Sequence, residues 1–225
     1  MFTNKNKDKK LLAEYYNKKA HEYEEVYNIK DKKRLEEQEL IKKYIEESFI
    51  NRYVLELACG TGYWTKSLLN TTQKVIAIDQ SSEMLTIASK RYANKPNISF
   101  LQEDIYTPPT SFPKFSGCMA NFLFSHIPKK DITKFLQTLH TRLETNAFVF
   151  FVDSNYQEGQ GGTLVKKKGN EDTWKRRNLN NGEEYDVLKN YYSQKELEEI
   201  FGKYSRKLLV QYLTNFWIVG YYLEK

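Results

Sequence analysis

The stretch Glu56–Gly62, ELACGTG, decides the fold because it joins a short apolar run to two closely spaced glycines. The run Tyr53–Ala58 predicts a buried strand, and the chain from there to about Leu69 predicts a turn and a helix. Glycines at a strand-to-helix turn let a ligand approach the backbone closely. A dinucleotide fingerprint would need a third glycine where the chain has Thr65, which argues against a nicotinamide oxidoreductase.

Outward from this turn, apolar strands alternate with helical segments. Further strands are predicted at Lys74–Asp79, Asn97–Leu101, Gly117–Phe124 and Ala147–Val152. Such alternation is typical of a parallel sheet covered on both faces. Two nearly contiguous runs, Lys207–Leu213 and Asn215–Leu223, predict a terminal antiparallel hairpin. We therefore expect an α/β fold with a doubly wound, Rossmann-like sheet of seven mostly parallel strands, a C-terminal antiparallel hairpin and N-terminal helices.

The ends of the chain predict helices and one irregular segment. Apolar periodicity predicts helices at Leu11–Tyr27 and at Asp31–Ser48, with Asp31 as N-cap, after a frayed polar tail at residues 1–10. Ser81 or Ser82 is expected to cap the next helix, and Ser193 to cap a last helix that ends near Phe201. Another helix is expected to begin at Pro128 and to end near Leu143. Alternation stops at residues 154–190, which predicts either a flexible insert or a functional lid.

These segments predict one domain over residues 1–225. It divides into an N-terminal helical cap (1–50), a cofactor-binding core (51–153), an insert or lid (154–192) and a C-terminal helix with the hairpin (193–225). A length of 225 residues is enough for one sizeable core but not clearly for two independent domains.

Composition narrows the class of protein. Hydrophobic residues make up 40% and charged residues 28% of the chain, no apolar run approaches a membrane span, and the N-terminus shows no signal peptide. Cys59 and Cys118 lie in core-like segments without metal-ligand spacing, so we expect reduced thiols, no metal and a cytoplasmic protein. The net charge of +6 comes from short basic clusters that could contact phosphate, although a solvated surface is the simpler interpretation.

Acidic residues follow three successive strands of the predicted sheet. Ligands of open α/β sheets bind at the carboxyl ends of the strands. There Asp79 can accept hydrogen bonds from both hydroxyls of a ribose, and Asp104 can accept one from an adenine amino group. Glu56, four residues before Gly60, suits a cationic ligand better than a pyrophosphate. The pattern predicts a nucleoside site with a cationic group beside Gly60.

Three motifs carry a resemblance to a known family. Glu56–Gly62 (ELACGTG), Asp79–Leu85 (DQSSEML) and Gln102–Asp104 (QED) resemble successive cofactor motifs of the class I S-adenosylmethionine-dependent methyltransferases. The resemblance covers roughly residues 50–155 well and the terminal hairpin loosely. It implies S-adenosyl-L-methionine as the cofactor and S-adenosyl-L-homocysteine as the product.

The resemblance also implies roles for particular residues. The glycine turn would contact the methionine part of the cofactor, Asp79 the ribose, and Asp104 with Ile105 the adenine, on which Met84 would pack. Tyr16 and Tyr23 would lie across the cofactor from an N-terminal helix. The implied cofactor contacts are Tyr16, Tyr23, Glu56, Ala58, Gly60, Gly62, Asp79, Gln80, Met84, Asp104, Ile105 and Asn121.

The acceptor side is less defined by sequence. His126 ends a run that begins at Asn121, at the edge that faces the methyl group in the family, so it is either a general base or a structural histidine. The insert offers Trp174, Arg177 and Tyr185, which could hold a carboxylate or phosphate acceptor or could belong to a solvated loop.

These observations predict methyl transfer to an oxygen, nitrogen or carbon atom of a small-molecule acceptor. An in-line displacement relies on orientation and desolvation, so no catalytic triad is required. A methyltransferase acting on RNA or protein through the basic insert is an alternative, although no nucleic-acid-binding module is visible. A non-catalytic cofactor-binding partner protein is another. We expect no membrane association.

Overall fold

The computed structural model describes residues 3–27, 31–205 and 207–224, whose strands form two sheets. In chain order the strands are β1 (Tyr53–Leu57), β2 (Lys74–Asp79), β3 (Ile98–Gln102), β4 (Phe115–Asn121), β5 (Leu143–Ser154), β6 (Thr163–Lys166), β7 (Thr173–Asn178), β8 (Glu184–Leu188), β9 (Leu208–Tyr212) and β10 (Phe216–Tyr222). The α-helices are α1 (Thr3–Lys19), α2 (Lys32–Ser48), α3 (Ser82–Arg91), α4 (Ile132–His140) and α5 (Gln194–Phe201). The 3-10 helices are Ala20–Tyr27, Thr65–Leu68, Phe124–His126 and Lys129–Asp131.

The larger sheet has seven strands in the order β3-β2-β1-β4-β5-β10-β9. The first five strands of the chain are parallel to one another, whereas β10 runs antiparallel to both β5 and β9. This confirms the predicted fold class and the terminal hairpin. Strand order reverses beside β1, with β2 on one side and β4 on the other, and such a reversal opens a crevice at the carboxyl ends of the strands.

Both faces of the larger sheet are covered, as the apolar strands predict. Leu55 and Leu57 of β1 pack in one layer with residues of α4 and α5, such as Phe135 and Phe201. Val54 packs on the opposite face with Ile41 and Ile45 of α2. Burying one such side chain contributes about 1.5–3 kcal/mol, so these layers hold the carboxyl edge of the sheet rigidly.

Side-chain caps fix where three helices begin. Asp31 accepts the Arg34 N–H at 2.6 Å, and Ser81 accepts the Met84 N–H at 3.1 Å. Ser193 and Glu196 form a reciprocal capping box. The three predicted caps are confirmed. No helix in the ranges that the structure describes is long and apolar enough to cross a membrane.

Several predicted boundaries were wrong. The chain is helical from Thr3 rather than from Leu11, because adding lysine-rich turns to an existing helix costs less than starting one. The helix expected to reach Leu69 is only the short 3-10 segment Thr65–Leu68. The strand expected to reach Phe124 ends at Asn121, because Phe122 has a left-handed backbone (φ +59°) and turns the chain.

The insert is also more regular than predicted. Strands β6, β7 and β8 form an antiparallel three-stranded sheet instead of a flexible segment. Tyr185 and Val187 of this sheet pack with Tyr15 of α1. The sequence of residues 181–192 predicts a hairpin strand leading into the last helix, and β8 lies there. Strands β6 and β7 were missed, because β7 carries the polar run TWKRRN, whose pairing depends on distant partners rather than on local periodicity.

Candidate functional site

The turns after β1 and β2 are tied together by Asp79. The Gly60 N–H donates to one carboxylate oxygen of Asp79 at 2.9 Å, and the Ser81 N–H donates to the other at 2.8 Å. Ala58 and Gly60 both have left-handed backbones (φ +50° and +56°), which bend the chain toward this carboxylate. Burial raises the pKa of Asp79 despite these bonds. Each carboxylate oxygen keeps acceptor capacity for a ligand hydroxyl.

A cavity of about 650 Å³ opens beside this carboxylate. We call it the Asp79 cavity. Its lining is Leu12, Ala13, Tyr16, Tyr23, Ala58, Gly60, Asp79, Gln80, Ser81, Met84, Ile105, Asn121, Phe122, Leu123 and His126. The structure therefore brings nine of the twelve residues proposed from the sequence as cofactor contacts, together with His126, around one space.

The other three proposed contacts lie outside this lining. Glu56 is buried and accepts the Thr65 hydroxyl at 2.8 Å, and burial raises its pKa to about 8. Gly62 has φ +78°, and a Cβ there would lie 2.7 Å from the Tyr92 ring. Asp104 accepts the Tyr106 N–H at 2.9 Å. Their parts in cofactor binding stay predictions, since each makes a contact within the fold.

Asn121 shows that a polar ligand suits the Asp79 cavity. Both polar atoms of its side-chain amide are buried, and neither has a hydrogen-bond partner among the residues that the structure describes. A buried donor and acceptor without partners cost free energy that a polar ligand can offset. With a carboxylate for ribose hydroxyls and apolar Met84 and Ile105 for a base, the residues present fit S-adenosylmethionine.

His126 is held in one neutral tautomer. Its Nδ1 lies 2.5 Å from the Leu188 carbonyl, which can only accept, so Nδ1 carries the proton. Its Nε2 then accepts the Tyr16 hydroxyl at 2.9 Å. Burial, reinforced by the positive charge of Lys189, lowers the pKa of His126 to about 3. The ring borders the cavity, but its basic lone pair already has a partner.

A second cavity adjoins the first. It has about 910 Å³ of empty space and shares Tyr16, Tyr23, Phe122 and His126 with the Asp79 cavity. We call it the cationic cavity because its lining includes Lys19, Arg34, Arg177 and Lys189 but no Asp or Glu. Of these cations, only Arg177 is a candidate from the sequence. The other three come from α1, α2 and the end of β8 and carry no local signal.

The two remaining candidates from the insert lie elsewhere. Trp174 lines a third cavity, with Asp131 and Asp172, on another side of His126. The Tyr185 hydroxyl lies 3.0 Å from the carboxylate of Glu14, so its ring packs against α1 rather than facing the cavities described above. No group of three or more potential metal ligands occurs within the described ranges.

The sequence of the chain is similar to those of known methyltransferases. Residues 54–146 match the family described as a methyltransferase domain. An uncharacterized methyltransferase of Oceanobacillus iheyensis is 26% identical over 201 residues, covering 88% of this chain and 86% of that protein. Malonyl-[acyl-carrier protein] O-methyltransferase of Halalkalibacterium halodurans is 27% identical over 150 residues. That match covers 64% of this chain and only 55% of the longer enzyme.

Solved structures share the fold at lower identity. A complex of DhpI with S-adenosylmethionine and HEP superposes with a TM-score of 0.75 at 22% identity, over 95% of this chain and 96% of that one. Burkholderia thailandensis 1,6-didemethyltoxoflavin-N1-methyltransferase, with bound 1,6-didemethyltoxoflavin and S-adenosylhomocysteine, gives 0.68 at 12% identity, over 98% and 90% of the two chains. These likenesses extend beyond the core to nearly the whole chain.

Proposed function

We propose that this chain, whose residues 54–146 match the methyltransferase-domain family, uses S-adenosylmethionine to methylate an oxygen, nitrogen or carbon atom of a small-molecule acceptor. The observation that carries this proposal is the shared border of the two cavities at Tyr16, Tyr23, Phe122 and His126. A donor in one cavity and an acceptor in the other would meet there.

The residues of the Asp79 cavity suit the cofactor. S-adenosylmethionine supplies the methyl group, which its sulfonium makes electrophilic. Asp79 would accept hydrogen bonds from the ribose, and the apolar side chains of Met84 and Ile105 would contact the adenine. The Asn121 amide would pair with polar atoms of the methionine part, which removes the cost of its two unpartnered atoms.

The cover over the site favours a small acceptor. Helix α1 crosses the carboxyl edge, where the Tyr16 hydroxyl bonds His126 and the Tyr15 ring packs 5.5 Å from the Tyr185 ring. A folded polymer would have to displace α1, whereas a small molecule would not.

Orientation and desolvation would supply most of the rate. A proton leaving the acceptor could reach His126 only through the Tyr16 hydroxyl, because that hydroxyl occupies Nε2. A histidine whose pKa is lowered to about 3 is also a weak base. Tyr16, Tyr23 and Phe122 would instead exclude water and align the acceptor for an in-line displacement.

The test is a transfer assay with cofactor labelled in its methyl group. Separate arms would contain small organic acids, phenols and amines, bulk RNA, and a denatured protein extract. We expect label in a small-molecule product and an equal amount of S-adenosylhomocysteine, with both signals lost in Asp79→Ala.

Two outcomes would contradict the proposal. Label found only in RNA or only in protein would identify a macromolecular acceptor. Binding of S-adenosylhomocysteine without transfer in any arm would favour the non-catalytic partner protein.

A further inference from the structure

We propose that the acceptor carries an anionic oxygen group, of the carboxylate or phosphate type, and that Arg177 and Arg34 bind this group in the cationic cavity. This inference rests on the proposed function and deepens it by naming the class of acceptor. It starts from the charge of the cavity wall, which has four cationic side chains and no carboxylate.

Two of the four cations already have partners. The Lys189 ammonium lies 2.6 Å from an Asp153 carboxylate oxygen, and the Lys19 ammonium lies 2.6 Å from one of Glu22. Their charges are therefore largely compensated within the fold. Arg34 interacts electrostatically with the carboxylates of Asp31 and Glu37, so the positive charge that remains for a ligand belongs to Arg177 and, in part, to Arg34.

Arg177 is surrounded by aromatic rings rather than by carboxylates. Its guanidinium interacts electrostatically with Tyr16, Tyr15 and Tyr191 and forms a side-chain hydrogen bond with Tyr15. Its Nε is buried without a hydrogen-bond partner, and no ion pair joins it to a carboxylate within the described part of the chain. An arginine cannot shed its charge in a protein, so a partly buried one without a counter-ion is costly. A bound anion would offset that cost.

Arg34 of α2 lines the same cavity. Its guanidinium lies 4.9 Å from the centre of the Phe216 ring, and its Nε is likewise buried without a partner among the described residues. Two guanidinium groups, each with a free donor, are suited to the oxygens of one anion. The ammonium groups of Lys19 and Lys189 are less suited to an anion, because each is already bonded to a carboxylate.

The third cavity shows by contrast why an anion would bind in the cationic cavity. The third cavity, which Trp174 lines, also borders His126 but carries Asp131 and Asp172 against the single cation Lys130. An anion would be repelled by these carboxylates and attracted to the two arginines. An anionic oxygen also suits the neutral His126, because an oxygen that has already lost its proton needs no base.

The test uses inorganic phosphate and acetate as probes on protein saturated with S-adenosylhomocysteine. The readout is the NMR signal of the arginine Nε–H groups at constant ionic strength, with chloride as reference anion. The Arg177 signal is assigned from its loss in Arg177→Lys. We expect a saturable shift of that signal with at least one probe. Phosphate acting more strongly than acetate would indicate a phosphate-type acceptor, and the reverse a carboxylate.

A matched pair of variants sharpens the result. Followed through the Nε–H signal of Arg34, which lines the same cavity and is assigned from its loss in Arg34→Lys, Arg177→Gln should raise the dissociation constant of the effective probe by about tenfold or more, because it removes a charge-assisted pair. Arg176→Gln, on the same strand, should change it by less than about twofold, because Arg176 is exposed and paired with Asp186. Should Arg177→Gln fail to fold, the titration of the wild-type signal still decides.

The inference is overturned if neither probe shifts the Arg177 signal beyond chloride, or if the two variants weaken binding equally. Calorimetry with S-adenosylhomocysteine separates the two proposals. Cofactor binding and methyl transfer without an anion effect would sink the inference alone. An anion effect without any small-molecule methylation would leave an anion site in the cationic cavity but would sink the proposed function, and with it the assignment of that site to a methyl acceptor.

Discussion

The Asp79 cavity and the cationic cavity meet at four side chains, yet they are built in different ways. The polar wall of the Asp79 cavity comes from two neighbouring turns, where one carboxylate bonds the backbone at Gly60 and Ser81. The charges of the cationic cavity come from four separate segments, at Lys19, Arg34, Arg177 and Lys189. A site made of backbone turns can be read from a short motif, whereas one assembled by side chains from distant segments cannot.

Among the variants that test this difference, the one that removes the Asp79 carboxylate should have the largest effect on binding. Asp79→Ala should weaken S-adenosylhomocysteine binding by about a hundredfold or more, since two charge-assisted hydrogen bonds contribute roughly 1.5–3 kcal/mol each. The anion-dependent shift of Arg177 should persist, because Arg177 lies in the other cavity. Calorimetry and the NMR titration measure the two effects.

Asp186→Ala is the control for Asp79→Ala, because Asp186 is an insert carboxylate paired with the exposed Arg176. It should leave cofactor binding unchanged. Thermal unfolding must accompany both variants, since Asp79 also holds the backbone at Gly60 and Ser81. An unchanged dissociation constant in a folded Asp79→Ala protein would mean that the ribose is held elsewhere.

The same difference explains what the sequence could predict. The mostly parallel sheet, the hairpin and the three caps follow from local patterns, and nine proposed cofactor contacts surround one cavity. Asp79 was found because a carboxylate at the end of β2 has a fixed relation to the turn after β1 in any such sheet. The position of Asp79 in the sequence was therefore enough to propose it as a cofactor contact.

The insert and the acceptor side depended on tertiary contacts. Arg34 lies in the first turn of α2, where its spacing shows only a polar helix face, and its place in the cavity depends on Phe216 at the other end of the chain. Tyr185 and Arg177 lie on neighbouring strands, but only Arg177 faces the cavity. The two residues are directly paired and share one face of the sheet. The contact that separates them is the packing of the Tyr185 ring on Tyr15 of α1, which the sequence did not reveal.

A substitution of Glu56 can show whether this residue contacts the cofactor or only packs in the core. Burial raises its pKa to about 8, so the folded protein keeps a proton that the unfolded chain releases above about pH 4.3. The free energy of unfolding therefore falls as pH rises through this window, and the contribution is gone above about pH 8. Glu56→Gln mimics the protonated form, so relative to wild type it should gain roughly 2–4 kcal/mol between pH 5 and pH 8.5.

Denaturant titrations of both proteins at the two pH values measure that gain. If the Thr65 contact is the main role of Glu56, the variant should also keep its affinity for S-adenosylhomocysteine at pH 7 within about twofold. Equal pH dependence in the two proteins would show that Glu56 is ionised in the fold. A tenfold loss of affinity would place Glu56 among the cofactor contacts and extend the motif into β1.

Substitution of His126, which borders both cavities, should have the smallest effect on stability and on methyl transfer. Burial lowers its pKa to about 3, whereas an unfolded histidine titrates near 6.5. Between these values the unfolded chain binds a proton that the folded protein does not, so stability falls as pH is lowered through the window. From pH 8 to pH 4.5, His126 should cost the wild type roughly 2–3 kcal/mol, and His126→Gln should remove that part of the slope. His140→Gln is the matched control, because burial also lowers the pKa of His140, to about 4, while its Nε2 bonds Tyr221 away from the cavities. Both variants should flatten the stability profile, so only methyl transfer can distinguish them.

With the Tyr16 hydroxyl already on Nε2, we expect His126→Gln to lower kcat by less than about tenfold, since a general base contributes about a hundredfold or more. A loss of a hundredfold or more in His126→Gln alone, with cofactor affinity intact, would instead make the Tyr16–His126 pair the route by which the acceptor loses its proton.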